Sequence, residues 1–151
     1  MKVNLKPLHT TGKLKIYSVS TDKKLVLPII EEGVSAGFPS PAADFLESKI
    51  DLNEELIKNP ATTFIAFTEG FSMQGAGIGH RDILIIDKSL EPRDGKIAVC
   101  FIDGDYTLKR LKIDNGVLWL MPENEKYQPI KITEDNDFMV WGIVTYSIMK
   151  H

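Results

Sequence analysis

One cysteine, three histidines and no unbroken apolar run of membrane-spanning length narrow the chemistry open to this 151-residue chain before any motif is read. A single thiol, Cys100, makes no internal disulfide, which fits a reducing, cytoplasmic setting. Its neighbours, Ile97-Ala98-Val99 and Phe101-Ile102, mark it as a core residue. No C-x-x-C pair and no helix-turn-helix pattern stands out, and no residue cluster calls for a metal or cofactor. The first 25 residues hold no apolar stretch of signal-peptide length. The longest apolar segment, 138–149, is interrupted by Gly142, Thr145, Tyr146 and Ser147 and falls short of a bilayer span, so no membrane association is expected. Basic residues are also too few for non-specific nucleic-acid binding: the formal net charge is -3 and the pI about 5.6. A 43% hydrophobic and 26% charged composition is that of an ordinary globular protein, and the length suits one domain with a real core.

What is present is mostly β-pattern. Residues 13–17 alternate charge with bulk, and 24–30 form a second strand-like run, with Thr21-Asp22 placed to turn a hairpin between them. Pro28 makes that second run an edge strand or an arm lying on another element. Residues 31–37, with two glycines and no large apolar side chain, read as a linker. Ser40 and Pro41 then suit the start of a helix carrying Ala42, Phe45, Leu46 and Ile50 at helical spacing. Asp51-Leu52-Asn53-Glu54 caps a second short turn that Asn59-Pro60 ends. The apolar stripe is narrow, so this helical region is expected to pack on a partner surface.

From residue 62 onward seven strands are expected, over 62–68, 83–86, 96–102, 105–113, 117–121, 130–132 and 138–147. Asp103-Gly104 and Asn115-Gly116 are strong hairpin signals, and residues 91–95 form a further turn. The expected fold is therefore mostly β, a compact coiled-sheet body with an N-terminal arm and a short helix.

The chemistry centres on Thr68-Glu69-Gly70-Phe71-Ser72-Met73, where an apolar strand runs into a glycine-rich loop. Gly70 permits backbone conformations closed to other residues, so that Ser72 can face a cleft and nearby amides can point at a developing oxyanion. Serine after glycine is also an ordinary turn residue, and a partner is needed to choose. His9 lies in the arm and His151 at the terminus, while His80 reads more readily as an exposed turn residue than as a base. The α/β-hydrolase elbow is broken by Gln74, and helices do not alternate with strands, which excludes that class.

Lysine is the other base that activates serine, provided it is neutral. With a period of two, Thr107, Lys109, Leu111 and Ile113 share one face of their strand, which makes Lys109 the cation flanked by apolar neighbours. Bringing an amine from about 10.4 to near neutrality takes roughly 4 kcal/mol of disfavoured charge, which a buried β face supplies and a surface strand does not. Thr107 is placed to orient the amine. The alternative is a lysine that snorkels to water from an edge strand.

Gly70-Phe71-Ser72-Met73 together with Tyr106-Thr107-Leu108-Lys109-Arg110-Leu111, with Ser72 and Lys109 separated by 37 positions, resembles the LexA-type self-cleaving serine peptidases and most of all their UmuD branch. Residues 37–44, 50–53, 82–87 and 141–144 extend the similarity over roughly 33–148. The resemblance implies a LexA/signal-peptidase-like catalytic domain over 61–151, a linker and short helix over 37–60, and an arm over 1–36 removed by self-cleavage at Ala36–Gly37. It implies Ser72 as nucleophile, Lys109 as its base, and the backbone amides of Phe71 and Ser72 as oxyanion hole. It further implies stimulation by RecA filaments on single-stranded DNA, a homodimer, and a place beside a UmuC-type translesion polymerase in SOS mutagenesis. A non-enzymatic dimeric binding module, with the same fold but Ser72 and Lys109 held apart, is the alternative. A LexA-like repressor is disfavoured because residues 1–36 are too short for a helix-turn-helix domain, and a signal peptidase because no anchor is seen. Three features depart from the pattern: Arg81 where glycine is usual, the bulky Phe71, and an arm longer than that of UmuD, which is expected to dock by strand addition.

Overall fold

The computed structural model describes residues 7–11, 14–29, 36–38 and 48–151. Eleven strands occur among them: β1 (Pro7–Thr11), β2 (Leu14–Ser18), β3 (Val26–Ile29), β4 (Ser48–Asp51), β5 (Thr63–Phe67), β6 (Ile83–Asp87), β7 (Ile97–Ile102), β8 (Asp105–Asp114), β9 (Val117–Met121), β10 (Ile130–Lys131) and β11 (Phe138–Ile148). Nine of them form one sheet in the order β1-β2-β5-β6-β11-β7-β8-β9-β10, and β3 pairs with β4 in a second. Every pairing is antiparallel. The fold is thus mostly β, as its hydrophobic alternation requires. No helix among the described residues is long and apolar enough to cross a membrane.

The seven strands expected from residue 62 onward are all present, and their hairpins turn where the dipeptides place them. Asp103 and Gly104 take φ of 47° and 94°, and Asn115 and Gly116 take 49° and 77°. Two consecutive residues at positive φ match the right-handed twist of the flanking strands, which is why these pairs make tight turns.

The last strand, β11, lies at the centre of the sheet and binds β6 along one side and β7 along the other. Its register slips between Val140 and Gly142 against β7, and between Val144 and Tyr146 against β6. Such bulges bend a strand and sharpen its twist, so the sheet coils instead of lying flat. A Cβ on Gly142 would come within 2.6 Å of Ile86 Cγ2, so the close approach of β11 to β6 needs a glycine there. Beside it, the Trp141 ring stands edge-on to Phe64 at 5.2 Å, with the Lys88 ammonium 4.7 Å from its centroid.

Two apolar clusters form among the described residues. Ile16, Ala66, Met73, Ile78, Leu84, Ile86 and Val99 form one. Ala98, Cys100, Leu111, Leu120 and Ile143 form the other. Cys100 is buried as expected, and burial pushes its thiol up to about 12, against a smaller opposing pull from Lys109.

The amino-terminal region departs from the sequence reading in two places. No hairpin joins the runs on either side of Thr21-Asp22: β2 lies between β1 and β5, while β3 pairs with β4. An unpredicted strand, β1, and the exposed edge of β5 compete successfully for the backbone groups of β2. The expected helical stripe does not extend to Ile50, which lies in β4 opposite Leu27. There a tertiary partner overrides local spacing; the remaining stripe positions, Ala42, Phe45 and Leu46, lie outside the described residues, as do Ser40, Pro41 and most of the expected linker. The second capping signal is met: α1 (Leu52–Leu56) is N-capped by Asp51, whose carboxylate accepts from the Asn53 N–H. Pro28 sits in an edge strand, opposite Lys49. The expected strand addition by the arm takes the form of β2 on β5.

Candidate active site

β5 ends at Phe67, and the chain then leaves the sheet through Thr68 into the turn that carries Ser72. Thr68 is buried and ties this exit to the loop before β6. Its hydroxyl donates to the Gly79 carbonyl and accepts from the Asp82 N–H at 2.9 Å, while its own N–H donates to the Asp82 carbonyl at 2.9 Å. Gly70 then takes a φ of 84°, the left-handed conformation expected of it. Its N–H donates to His80 Nδ1 at 3.1 Å, and the His80 ring lies 5.7 Å from that of Phe71. Met73, directly after Ser72, is buried in the first apolar cluster and anchors the turn from beneath.

A second set of bonds holds the same turn from the far side. The Glu123 N–H donates to the Ser72 carbonyl at 2.7 Å, and Gly75 N–H donates to the Glu123 carbonyl at 2.7 Å. Asn124 Nδ2 reaches the Phe71 carbonyl at 2.9 Å. Glu123 is itself fixed by a salt bridge to Arg110 on β8. The carbonyls of Phe71 and Ser72 are therefore committed. No hydrogen bond engages the N–H of either residue among the described residues.

β8 brings in the other half of the site. Lys109 is 7% exposed, and its Nζ lies 3.1 Å from Ser72 Oγ. It also lies 3.0 Å from Thr107 Oγ1 and 3.0 Å from the Leu108 carbonyl. Ser72, Lys109 and Thr107, singled out from the sequence, thus meet at one point. Lys109 does not snorkel to water, and the arrangement with Ser72 and Lys109 held apart is not the one observed. Burial is the main influence on the amine and pushes its pKa below the ordinary lysine value, with the Cys100 thiol opposing weakly.

Hydrogen-bond accounting shows what this geometry can do. A neutral amine has two N–H donors and one lone pair. Thr107 Oγ1 and the Leu108 carbonyl can take the two N–H groups, leaving the lone pair to accept the Ser72 hydroxyl proton. An ammonium instead donates to all three oxygens. Both protonation states are satisfied, so a proton can pass from oxygen to nitrogen without leaving a buried group unpaired.

These side chains line an open cleft of about 340 Å³ that also includes Gly70, Phe71, His80 and Tyr127. Phe71 is half-exposed at the cleft instead of filling it. Ala36 and Gly37 lie in an exposed bend and are not among the cleft-lining residues. Arg81, where glycine is usual, adopts a φ of 65° and donates its N–H to the Thr68 carbonyl at 2.9 Å. The turn after the nucleophile therefore keeps a backbone shape suited to glycine, occupied by an arginine. The parts that sequence reading missed are Thr68, Glu123, Asn124 and the acceptor role of His80. Only Thr68, a polar residue closing an apolar strand, left a local signal; Glu123 and Asn124 lie about 50 residues away along the chain and are joined to the turn by folding alone.

A family model described as Peptidase S24-like matches residues 28–145. Protein MucA of Salmonella typhimurium is 32% identical over the whole chain and 97% of its own length. Protein ImpA of Escherichia coli is 36% identical over 85% of this chain and 88% of its own. The LexA repressor of Bordetella avium is 32% identical over 99% of this chain and 68% of its own length. An antiparallel coiled sheet, a family match across most of the chain and a relative aligned over its whole length lead to one conclusion: the chain belongs to the Peptidase S24-like family.

Proposed function

We propose that this protein is a self-cleaving serine endopeptidase of the SOS response, with Ser72 as nucleophile and Lys109 as general base. The observation that carries this reading is the 3.1 Å approach of a buried, pKa-lowered amine to a turn-borne hydroxyl inside an open cleft. Neutral Lys109 accepts the Ser72 proton as Oγ attacks the carbonyl carbon of Ala36. The carbonyl electron pair moves to oxygen, facing the uncommitted N–H groups of Phe71 and Ser72. Collapse of this intermediate breaks the Ala36–Gly37 bond, and the Lys109 ammonium returns its proton to the departing Gly37 nitrogen. A water deprotonated by Lys109 then hydrolyses the ester between Ser72 and Ala36, and the proton returns to Ser72.

The Ala36–Gly37 bond is a suitable substrate because Ala36 carries only a methyl group, Gly37 adds no side chain and the segment is exposed. Since these residues do not line the cleft, the segment must swing into it, from the same chain or from a dimer mate. Either route makes the bond intramolecular or nearly so, and the high effective concentration compensates for a weak nucleophile. The family likeness carries the rest of the proposal: cytoplasmic location, homodimer formation, stimulation by RecA filaments on single-stranded DNA, and service of the trimmed 37–151 form with a UmuC-type translesion polymerase. In this division residues 1–36 are the removable arm, 37–60 the connection and 61–151 the peptidase body.

Incubation of purified protein tests the core of the reading. Mass spectrometry should show slow conversion to a 37–151 product, absent in Ser72→Ala and in Lys109→Ala. An intact wild-type chain at all pH values, with RecA filaments present, would reject it.

A further inference from the structure

Self-cleavage would sever residues 1–36 from the remainder, and the inference made here rests on that reading. Among the described residues, two sets of contacts bind the segment to the remainder without passing through the 36–37 bond. In the first, Ile16, Tyr17 and Ser18 of β2 pair with Ala66, Ile65 and Phe64 of β5. Ile16 is 1% exposed and belongs to the same core cluster as Ala66, Leu84, Ile86 and Val99. The Tyr17 ring stands edge-on to Phe67 at 5.8 Å. In the second, β3 pairs with β4. Around that pair, Leu52 N–H donates to the Leu25 carbonyl at 2.9 Å, Leu25 N–H to Asp51 Oδ1 at 3.2 Å, and Asn53 Nδ2 to the Lys23 carbonyl at 2.6 Å.

We propose that the outer edge of β5 is a strand-binding site whose resident occupant is Leu14–Ser18 of the same chain, and that cutting the 36–37 bond leaves this occupant in place as a non-covalently held peptide. Stripping β2 away would bare a row of β5 backbone N–H and C=O groups and open the core position that Ile16 fills. Hydrolysis of a distant peptide bond does nothing to offset that cost. What hydrolysis removes is the tether, and with it the high effective concentration of β2 at its site. Occupancy then depends on concentration, and the site becomes open to competition. The competitor that fits is an extended segment with free backbone N–H groups and a branched apolar side chain at the Ile16 position. Cleavage is thus a licence for exchange, and the incoming strand performs the release.

The test separates this proposal from the chemistry at Ser72. The recognition sequence of an added site-specific protease is inserted between Ala36 and Gly37 in the Ser72→Ala protein, which is then cut to completion. On native size-exclusion at micromolar concentration, both fragments should elute in one peak, identified by mass. A fluorescent synthetic peptide spanning residues 7–29 should enter the cut protein and displace the resident fragment, and should not enter the uncut protein. The same peptide carrying Ile16→Asp should lose this exchange. Elution of the two fragments apart overturns the proposal, whatever Ser72 does in the natural protein. Equal exchange by the Ile16→Asp peptide overturns the assignment of the β5 edge as the site.

Discussion

Lys109 Nζ and Ser72 Oγ lie 3.1 Å apart although their residues are separated by 37 positions, one in a strand and the other in a turn outside the sheet. The contact joins mid-β8, which carries Lys109, to the turn by which the chain leaves the sheet after β5. Its consequences can be measured.

Protonation of Lys109 should govern the rate. Burial lowers its pKa from the ordinary 10.5, so cleavage should accelerate with rising pH and level off before 10.5 is reached. Stability should follow the same group. Below 10.5 the unfolded lysine still holds the proton that the folded one has released, so the unfolded state binds more protons and stability rises with pH through that interval. Cleavage rates and denaturant midpoints measured across pH check both, and Lys109→Met should abolish the first and flatten the second.

Thr107 should prove to be a positioning residue. Its hydroxyl oxygen is one of two protein acceptors that hold the neutral amine with its lone pair toward Ser72. Thr107→Val should slow cleavage about tenfold, the worth of roughly one hydrogen bond, and Thr107→Ser should restore it. A plateau shifted along the pH axis in the valine variant would separate positioning from simple destabilisation.

His80 should matter through its acceptor nitrogen and not as a base. It receives the Gly70 N–H at 3.1 Å, which fixes the turn leading to the nucleophile. His80→Asn offers an oxygen in much the same place and should preserve the cleavage rate. His80→Phe keeps a ring beside Phe71 but no acceptor, and should lose about tenfold, as should His80→Ala. Equal rates in all three variants would refute this role.

Arg81 should be replaceable with a gain. Its φ of 65° costs a non-glycine residue about 1–2 kcal/mol, while glycine adds about 0.4–1 kcal/mol of unfolded-state entropy. The balance favours Arg81→Gly by up to about 1.6 kcal/mol, readable as a rise in Tm of up to roughly 6 °C. Its backbone N–H bond to Thr68 survives the change, so cleavage should continue.

Much of the candidate site is legible along the chain because it depends on short-range periodicity. Alternation along β8 places Thr107 and Lys109 on one face beside Leu111, and the hairpin dipeptides at 103–104 and 115–116 set the register of β7, β8 and β9. The chain itself therefore determined a β body, a turn-borne serine and a lysine on an apolar strand face, since each follows from neighbours within a few residues. Only the tertiary structure decided that β2 covers the edge of β5, that Glu123 and Asn124 strap the serine turn, and that Lys109 is buried. Those outcomes depend on which distant backbone groups satisfy one another and on how much water the assembled sheet excludes, and neither quantity is encoded in any local stretch.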